Sequence, residues 1–236
     1  MKKSPNPRQK TRKTGDELLK ERESDPVHKA QMRELERQRV AAADEYTEAA
    51  GPLMTELASA GYEIQRLDLL GQSSAYKDAI PILIRWLPEI ANLRVKHSIV
   101  HVLSKSWAGY DVVTPLLAEF RVTPDCANAG LKWAIGNALE AHANDAIFDD
   151  VVELVQEKRH GVARQMLVVA LGKMKNPKAV DVLIGLLGDD EMVGSALIGL
   201  KKLRADKARP PIERLLNHPR PRVRKQAMQA LAKIDS

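Results

Sequence analysis

The chain has 236 residues, of which 44% are hydrophobic and 29% charged, and 37 Lys and Arg against 31 Asp and Glu give a net charge of +6. The apolar fraction excludes a wholly disordered chain, and a mean hydropathy of −0.32 excludes a membrane-embedded one. Residues 1–15 hold six basic and no acidic residues, and residues 201–236 hold 11 basic and 3 acidic residues. The chain is therefore basic at both ends and acidic between them.

The N-terminal part of the chain contains few apolar residues, so we expect it to lie outside the main core. Residues 1–15 are predicted to form a disordered basic tail, since their only hydrophobic residue is the first methionine. Residues 16–75 are predicted to form a helical extension and cap. Within them, Asp25-Pro26 starts a long exposed helix that Gly51-Pro52 is expected to end, and a second short helix follows.

Residues 76–236 repeat one pattern, in which an apolar helix, a turn and a second helix with small residues follow one another. The clearest copy is Ile212-x-x-Leu215-Leu216 followed by Val223-Arg224-x-x-Ala227-x-x-Ala230-Leu231. No single hairpin of this kind can bury its apolar face, so successive hairpins stack. Because no segment shows sustained strand-like alternation, the sequence predicts an all-α fold, an α-solenoid of about five hairpins. The predicted repeats are 76–109, 110–145, 146–178, 179–207 and 208–236.

These units resemble the short HEAT-like repeats named after phycobilisome lyases. Their signature is Leu-x-x-Leu-Leu, a turn with Asp or Pro, and then Val-Arg-x-x-Ala-x-x-Ala-Leu. The segment before the repeats is similar to the leader of bacterial HEAT-repeat proteins that carry no assigned activity. The resemblance implies an α-α superhelix whose second helices line the concave side. It is specific for the fold and nearly silent on function.

A basic residue recurs near the start of the second helix of four repeats. We expect it to tie its own turn to the neighbouring one through carbonyls or an acidic side chain. The fourth repeat departs from the pattern, with Val193 in this place. The recurring residues are Lys96, Lys132, Arg164 and Arg224.

The leading functional hypothesis is a non-enzymatic protein–protein interaction module that presents its concave groove to a partner protein. Partly apolar positions on the second helices are typical of such a groove, provided that they are exposed. The candidate groove residues are His97, His101, Trp133, Asn137, Gln165, Val169, Ile198 and Gln229.

The alternative hypothesis is nucleic-acid binding, through the basic tail, the C-terminal repeat and a column of lysines near the ends of the second helices. Lysine is also favoured at such ends by the helix dipole, without any ligand. HEAT-like alkylpurine DNA glycosylases are similar in size, and by that resemblance Trp107 and Asp111 would be the residues beside the damaged base. The low aromatic content and the acidic middle of the chain argue against it. The candidate polyanion-binding residues are Lys105, Lys173, Lys202, Lys225 and Lys233.

No catalytic, metal or cofactor site is predicted, and a bilin lyase-like role is the least supported alternative because no pigment-binding feature is identifiable. His97 and His101 have the spacing of a helical metal pair, but Ser98 stands where a metalloprotease has its glutamate base. A single cysteine, Cys126, fits a reducing compartment. We therefore expect a cytoplasmic protein that binds another protein and no membrane.

Overall fold

A computed structural model of the chain describes residues 14–15, 24–124 and 129–235. The predicted disordered tail lies almost entirely outside this described part, as does Cys126. The chain divides into two compact units, Met1–Glu48 and Ala49–Ser236.

The first helix, α1, spans Pro26–Ser59. It begins where predicted, because the Asp25 side chain accepts a hydrogen bond of 2.9 Å from the Val27 N–H. The expected end at Gly51-Pro52 is wrong, since the helix continues through Pro52. Proline removes one backbone hydrogen bond there, while the next turns bury Leu53 and Leu57 completely. Burying two leucine side chains contributes roughly 3–6 kcal/mol, which offsets the lost bond.

The second unit consists of short helices joined by tight turns, with two 3₁₀ segments, Leu67–Gln72 and Ser74–Ala79, before the first hairpin. No strand occurs among the described residues, and the predicted all-α class is confirmed. None of the described helices has the length and apolarity needed to cross a bilayer. The further helices in the described part are α2 (Ile80–Glu89), α3 (Leu93–Leu103), α4 (Val113–Val122), α5 (Ala129–Ala141), α6 (Phe148–Gln156), α7 (Arg164–Leu171), α8 (Lys178–Gly185), α9 (Val193–Leu203), α10 (Arg209–Arg214) and α11 (Pro221–Ile234).

The second helices of the hairpins form one continuous layer. Helix α3 packs on α5, α5 on α7, α7 on α9, and α9 on α11, and each also packs on the first helix of its own hairpin. One apolar position recurs in this layer and is fully buried in every repeat. It is occupied by Ile99, Ile135, Leu167, Ala196 and Ala227. The predicted α-solenoid of stacked helical hairpins is confirmed.

Glycines permit the closest approach between these second helices. A Cβ atom placed on Gly172 in the turn after α7 would lie 2.4 Å from the Cα atom of Gly199 in α9. At Gly136 in α5, such an atom would lie 3.2 Å from the carbonyl oxygen of Ala163. Neighbouring backbones therefore touch where a side chain would hold them apart.

Candidate functional site

The recurring basic residues form the predicted ladder between turns. The Lys96 ammonium lies 2.5 Å from a carboxylate oxygen of Glu119 in the next repeat. Lys132, which is 1% exposed, donates a hydrogen bond of 2.8 Å to the Thr123 carbonyl in the turn of its own hairpin. Arg224 donates to the carbonyls of the turn before α11. The expected partners, carbonyls or an acidic side chain, are therefore found, but Lys132 and Arg224 are seen to bind their own turn and Lys96 the next repeat.

Arg164 is the most highly connected member of this ladder. It is 2% exposed, and it donates to the carbonyl oxygen of Val155 at 2.9 Å. The Nη2 atom of its guanidinium lies 3.1 Å from an Asp189 oxygen and 3.4 Å from a Glu191 oxygen. One side chain thus links the turn of the third repeat to the turn of the fourth.

Burial of the Asp189 carboxyl raises its pKa, but the Glu191 N–H and the Arg164 guanidinium outweigh this and hold the pKa below its ordinary value of 3.8. A lowered pKa in the folded state means that the carboxylate stabilises the fold above its unfolded-state pKa. This contribution is lost as the pH falls through the folded-state value.

We therefore expect Asp189→Asn to destabilise the protein at pH 7 and to lose that effect in strong acid. The asparagine side chain keeps an oxygen that can accept from the Glu191 N–H but carries no charge for Arg164. Urea unfolding of both proteins between pH 7 and 2.5 measures the difference. Two stability curves that stay parallel down to pH 2.5 contradict the assignment.

A surface cavity of about 370 Å³ lies across the N-terminal ends of α7, α9 and α11. Gln165 and Ile198, two of the predicted groove residues, line it together. Val162, which sequence reasoning missed, is 47% exposed at its edge. The charged groups around it come from the turns before α9 and α11 and from α11 itself. The lining residues are Val162, Gln165, Asp190, Glu191, Val193, Gly194, Ser195, Ile198, Arg220, Arg222, Val223 and Gln226.

The remaining predicted groove residues lie on the same layer of second helices but do not line this cavity. Trp133 on α5 is 43% exposed, which is unusual for an indole with no role in the core. His97, His101 and Gln229 are exposed, and Asn137 is half-buried. Val169 is only 8% exposed, so it adds almost no surface to the groove.

The lysine column predicted for polyanions is partly neutralised within the protein. The Glu140 carboxylate forms ion pairs with the ammonium groups of Lys173, at 3.0 Å, and Lys202, at 3.3 Å. Lys105 lies against the 3₁₀ segment, with its Cε atom 3.0 Å from where a Cβ of Gly71 would be. On α11, Lys225 and Lys233 are exposed. The structure thus joins two of the five lysines through a carboxylate that the sequence did not point to.

The residues considered for chemistry lie outside the cavity between α7, α9 and α11. Trp107 is half-buried in a 3₁₀ turn between α3 and α4, whereas Asp111 is exposed, and neither lines the cavity between α7, α9 and α11. Burial lowers the pKa of His101, and the charges of Lys105 and His97 lower it further. Within the described part of the chain, no group of three or more His, Cys, Asp or Glu could hold a metal ion.

Comparison with known proteins gives a likeness in structure. No model of a known protein family matches the chain. No curated protein matches it either. Among solved structures, it is similar to a designed armadillo repeat protein in complex with the peptide (KR)4. That likeness has 15% sequence identity and a TM-score of 0.46 and covers 83% of this chain and 92% of the other.

Proposed function

We propose that this α-solenoid is a non-enzymatic interaction module that binds an extended segment of a partner protein along its second helices. The observation that carries the proposal is the cavity shared by α7, α9 and α11, because it spans three consecutive repeats. A ligand that follows such a surface meets equivalent positions of successive repeats in turn.

The chemistry of this surface suits a polypeptide. Trp133, Val162 and Ile198 offer apolar contacts. Gln165 and Gln226 carry carboxamides, which both donate and accept hydrogen bonds and so match the alternating groups of a peptide backbone. Packed helices lie about 8–10 Å apart and an extended chain advances about 3.3 Å per residue. Each repeat would therefore serve about three residues of the bound segment.

We further propose that the repeats are of the phycobilisome-lyase type of HEAT-like repeat, found in bacterial proteins, and that the protein is cytoplasmic. The repeat signature supports the first statement, and the single cysteine of the chain supports the second.

The test is capture of partners by the full-length protein from its native lysate, with and without nuclease, followed by binding measurements on the purified partner. We expect one protein partner to survive nuclease at stoichiometric yield. Trp133→Ala and Ile198→Asp should each weaken its binding by about tenfold or more, or about 1.4 kcal/mol, because anchor side chains in grooves dominate affinity.

The matched control is Val182→Asp, which makes a similar change on α8, in the layer of first helices. It should leave the affinity unchanged while all variants keep the unfolding temperature within a few degrees of one another. Equal losses for Ile198→Asp and Val182→Asp, or loss of all captured protein on nuclease treatment, contradict the proposed function.

A further inference from the structure

Some charged residues around the cavity between α7, α9 and α11 are paired with an opposite charge of the protein, and others are not. Asp190 is paired with Arg220, whose guanidinium lies 2.6 Å from its carboxylate and also donates to its carbonyl oxygen. Glu191 is paired with Arg164 at 3.4 Å. Both acidic side chains at this cavity therefore have a cation of the protein beside them, and Glu191 shares its cation, Arg164, with Asp189.

Arg222 is the exception at the same cavity. It is exposed, and its side chain makes no hydrogen bond or ion pair with any residue that the structure describes. One turn further along α11, Lys225 is also exposed and likewise unpaired within the described part. Residues three and four apart lie on one face of a helix. The face that carries Arg222 and Gln226 into the cavity thus continues with Lys225.

The excess of positive charge is a property of this whole end of the chain. Residues 201–236 hold 11 basic and only 3 acidic residues. One of these acids, Asp235, is paired with Arg209. A field of one sign at the end of a groove attracts ligands of the opposite sign and sets the direction in which they bind.

Part of the cavity lining is apolar. Val162, Val193 and Ile198 contribute to it, and the Gln226 side-chain oxygen lies 3.1 Å from where a Cβ atom of Gly194 would be. An apolar side chain placed beside Val162 and Ile198 would bring its flanking residues near the cations of α11. Neighbouring side chains of an extended strand point to opposite faces, and those two apart lie about 7 Å from each other.

We propose that the C-terminal end of this groove binds an acidic segment of a partner protein, with an apolar residue in the cavity and a carboxylate on Arg222 and Lys225. This inference rests on the proposed function and adds the class of sequence that the groove selects. A peptide fits better than a nucleic acid because aliphatic side chains form part of the lining and the described residues at the cavity include no aromatic ring for a base to stack on.

The test is selection of random peptides of about 12 residues on the immobilised full-length protein, followed by anisotropy titrations of synthetic versions. We expect the selected peptides to be net acidic and to share an apolar residue. Replacing their Asp and Glu by Asn and Gln should weaken binding by about tenfold or more. The double variant Arg222→Glu/Lys225→Glu should weaken it equally.

The matched control is Lys178→Glu/Arg214→Glu, which changes the net charge by the same amount on exposed residues of the first helices. Its effect should stay within about threefold, since distant exposed charges are screened by salt. Neutral or basic selected peptides overturn the inference, as do equal effects of the two double variants.

Two further outcomes separate the inference from its foundation. If the selected peptides are not acidic but their binding still depends on Ile198, the inference is wrong and the proposed function stands. Peptides that bind Ile198→Asp as tightly as the original protein, or no selected peptides at all, remove both. A 12-nucleotide oligo(dT) that displaces the acidic peptide at a lower concentration than the peptide itself overturns the inference in favour of nucleic acid.

Discussion

Replacing Arg164 with alanine is expected to lower the free energy of unfolding by about 3–5 kcal/mol, because removing one partner of a buried ion pair leaves the others uncompensated. The change would leave the carbonyl of Val155 without its donor and Asp189 without its cation, and it would open a void at a position that is 2% exposed. Urea unfolding at pH 7, monitored by circular dichroism, measures the loss.

The control for this prediction is Arg159→Ala in the same turn. Arg159 is 64% exposed and pairs only with the nearby Glu157 among the described residues, so its removal should cost far less. A similar loss for both variants would show that Arg164 contributes only charge at the surface, against the ladder described above.

Gly172→Ala is expected to destabilise the protein by about 1–3 kcal/mol, the usual range for overpacking a tight interface. Its new Cβ atom would lie 2.4 Å from the Gly199 Cα atom, so the backbones of the third and fourth repeats would have to separate. Thermal unfolding of the two proteins measures the difference.

Two other glycines of the same region calibrate the effect. Gly185→Ala places its Cβ atom in open space at the end of α8, where the substitution should stabilise the helix by about 0.5–1 kcal/mol. Gly199→Ala meets the end of the Leu183 side chain at 2.9 Å, which can move, so we expect an intermediate loss. A Gly172→Ala protein as stable as Gly185→Ala would contradict the close approach of the turn after α7 to α9.

The features that were predictable from the sequence are those that repeat. Lys132 and Arg164 recur at one place in a pattern, so their shared role follows from the period. The continuation of α1 through Pro52 could not be predicted in this way. Local propensity favours a break at Pro52, and only the tertiary burial of Leu53 and Leu57 overrides it.

The candidate site was less predictable because it depends on contacts between distant parts of the chain. Glu140 lies 33 and 62 residues from the lysines it binds, and no local pattern joins them. Val162 is exposed because it precedes α7, next to Gly161 with its φ of 48°. Its position could be read only once the turn conformation was known.

The break in the ladder at Val193 has a consequence for how the molecule unfolds. The fourth repeat has no basic residue there to bind the fifth, and Arg224 in the fifth donates to the carbonyls of its own turn. The two turns are joined instead by the exposed pair of Arg220 with Asp190, which contributes less than a buried pair. Helix α11 buries little beyond Val223 and two alanines. In a linear array, stability is a sum of repeat and junction terms, so opening starts at the weakest junction.

The last hairpin should therefore be the first cooperative unit to open, and its amide hydrogens should exchange ahead of those in α5 and α7. Four of the twelve residues that line the cavity belong to this hairpin. A segment bound there can be held only while α11 is docked, so occupancy shifts the opening equilibrium towards the closed hairpin. In such an arrangement, the end of the array that is easiest to unfold is also the end that a ligand can make rigid.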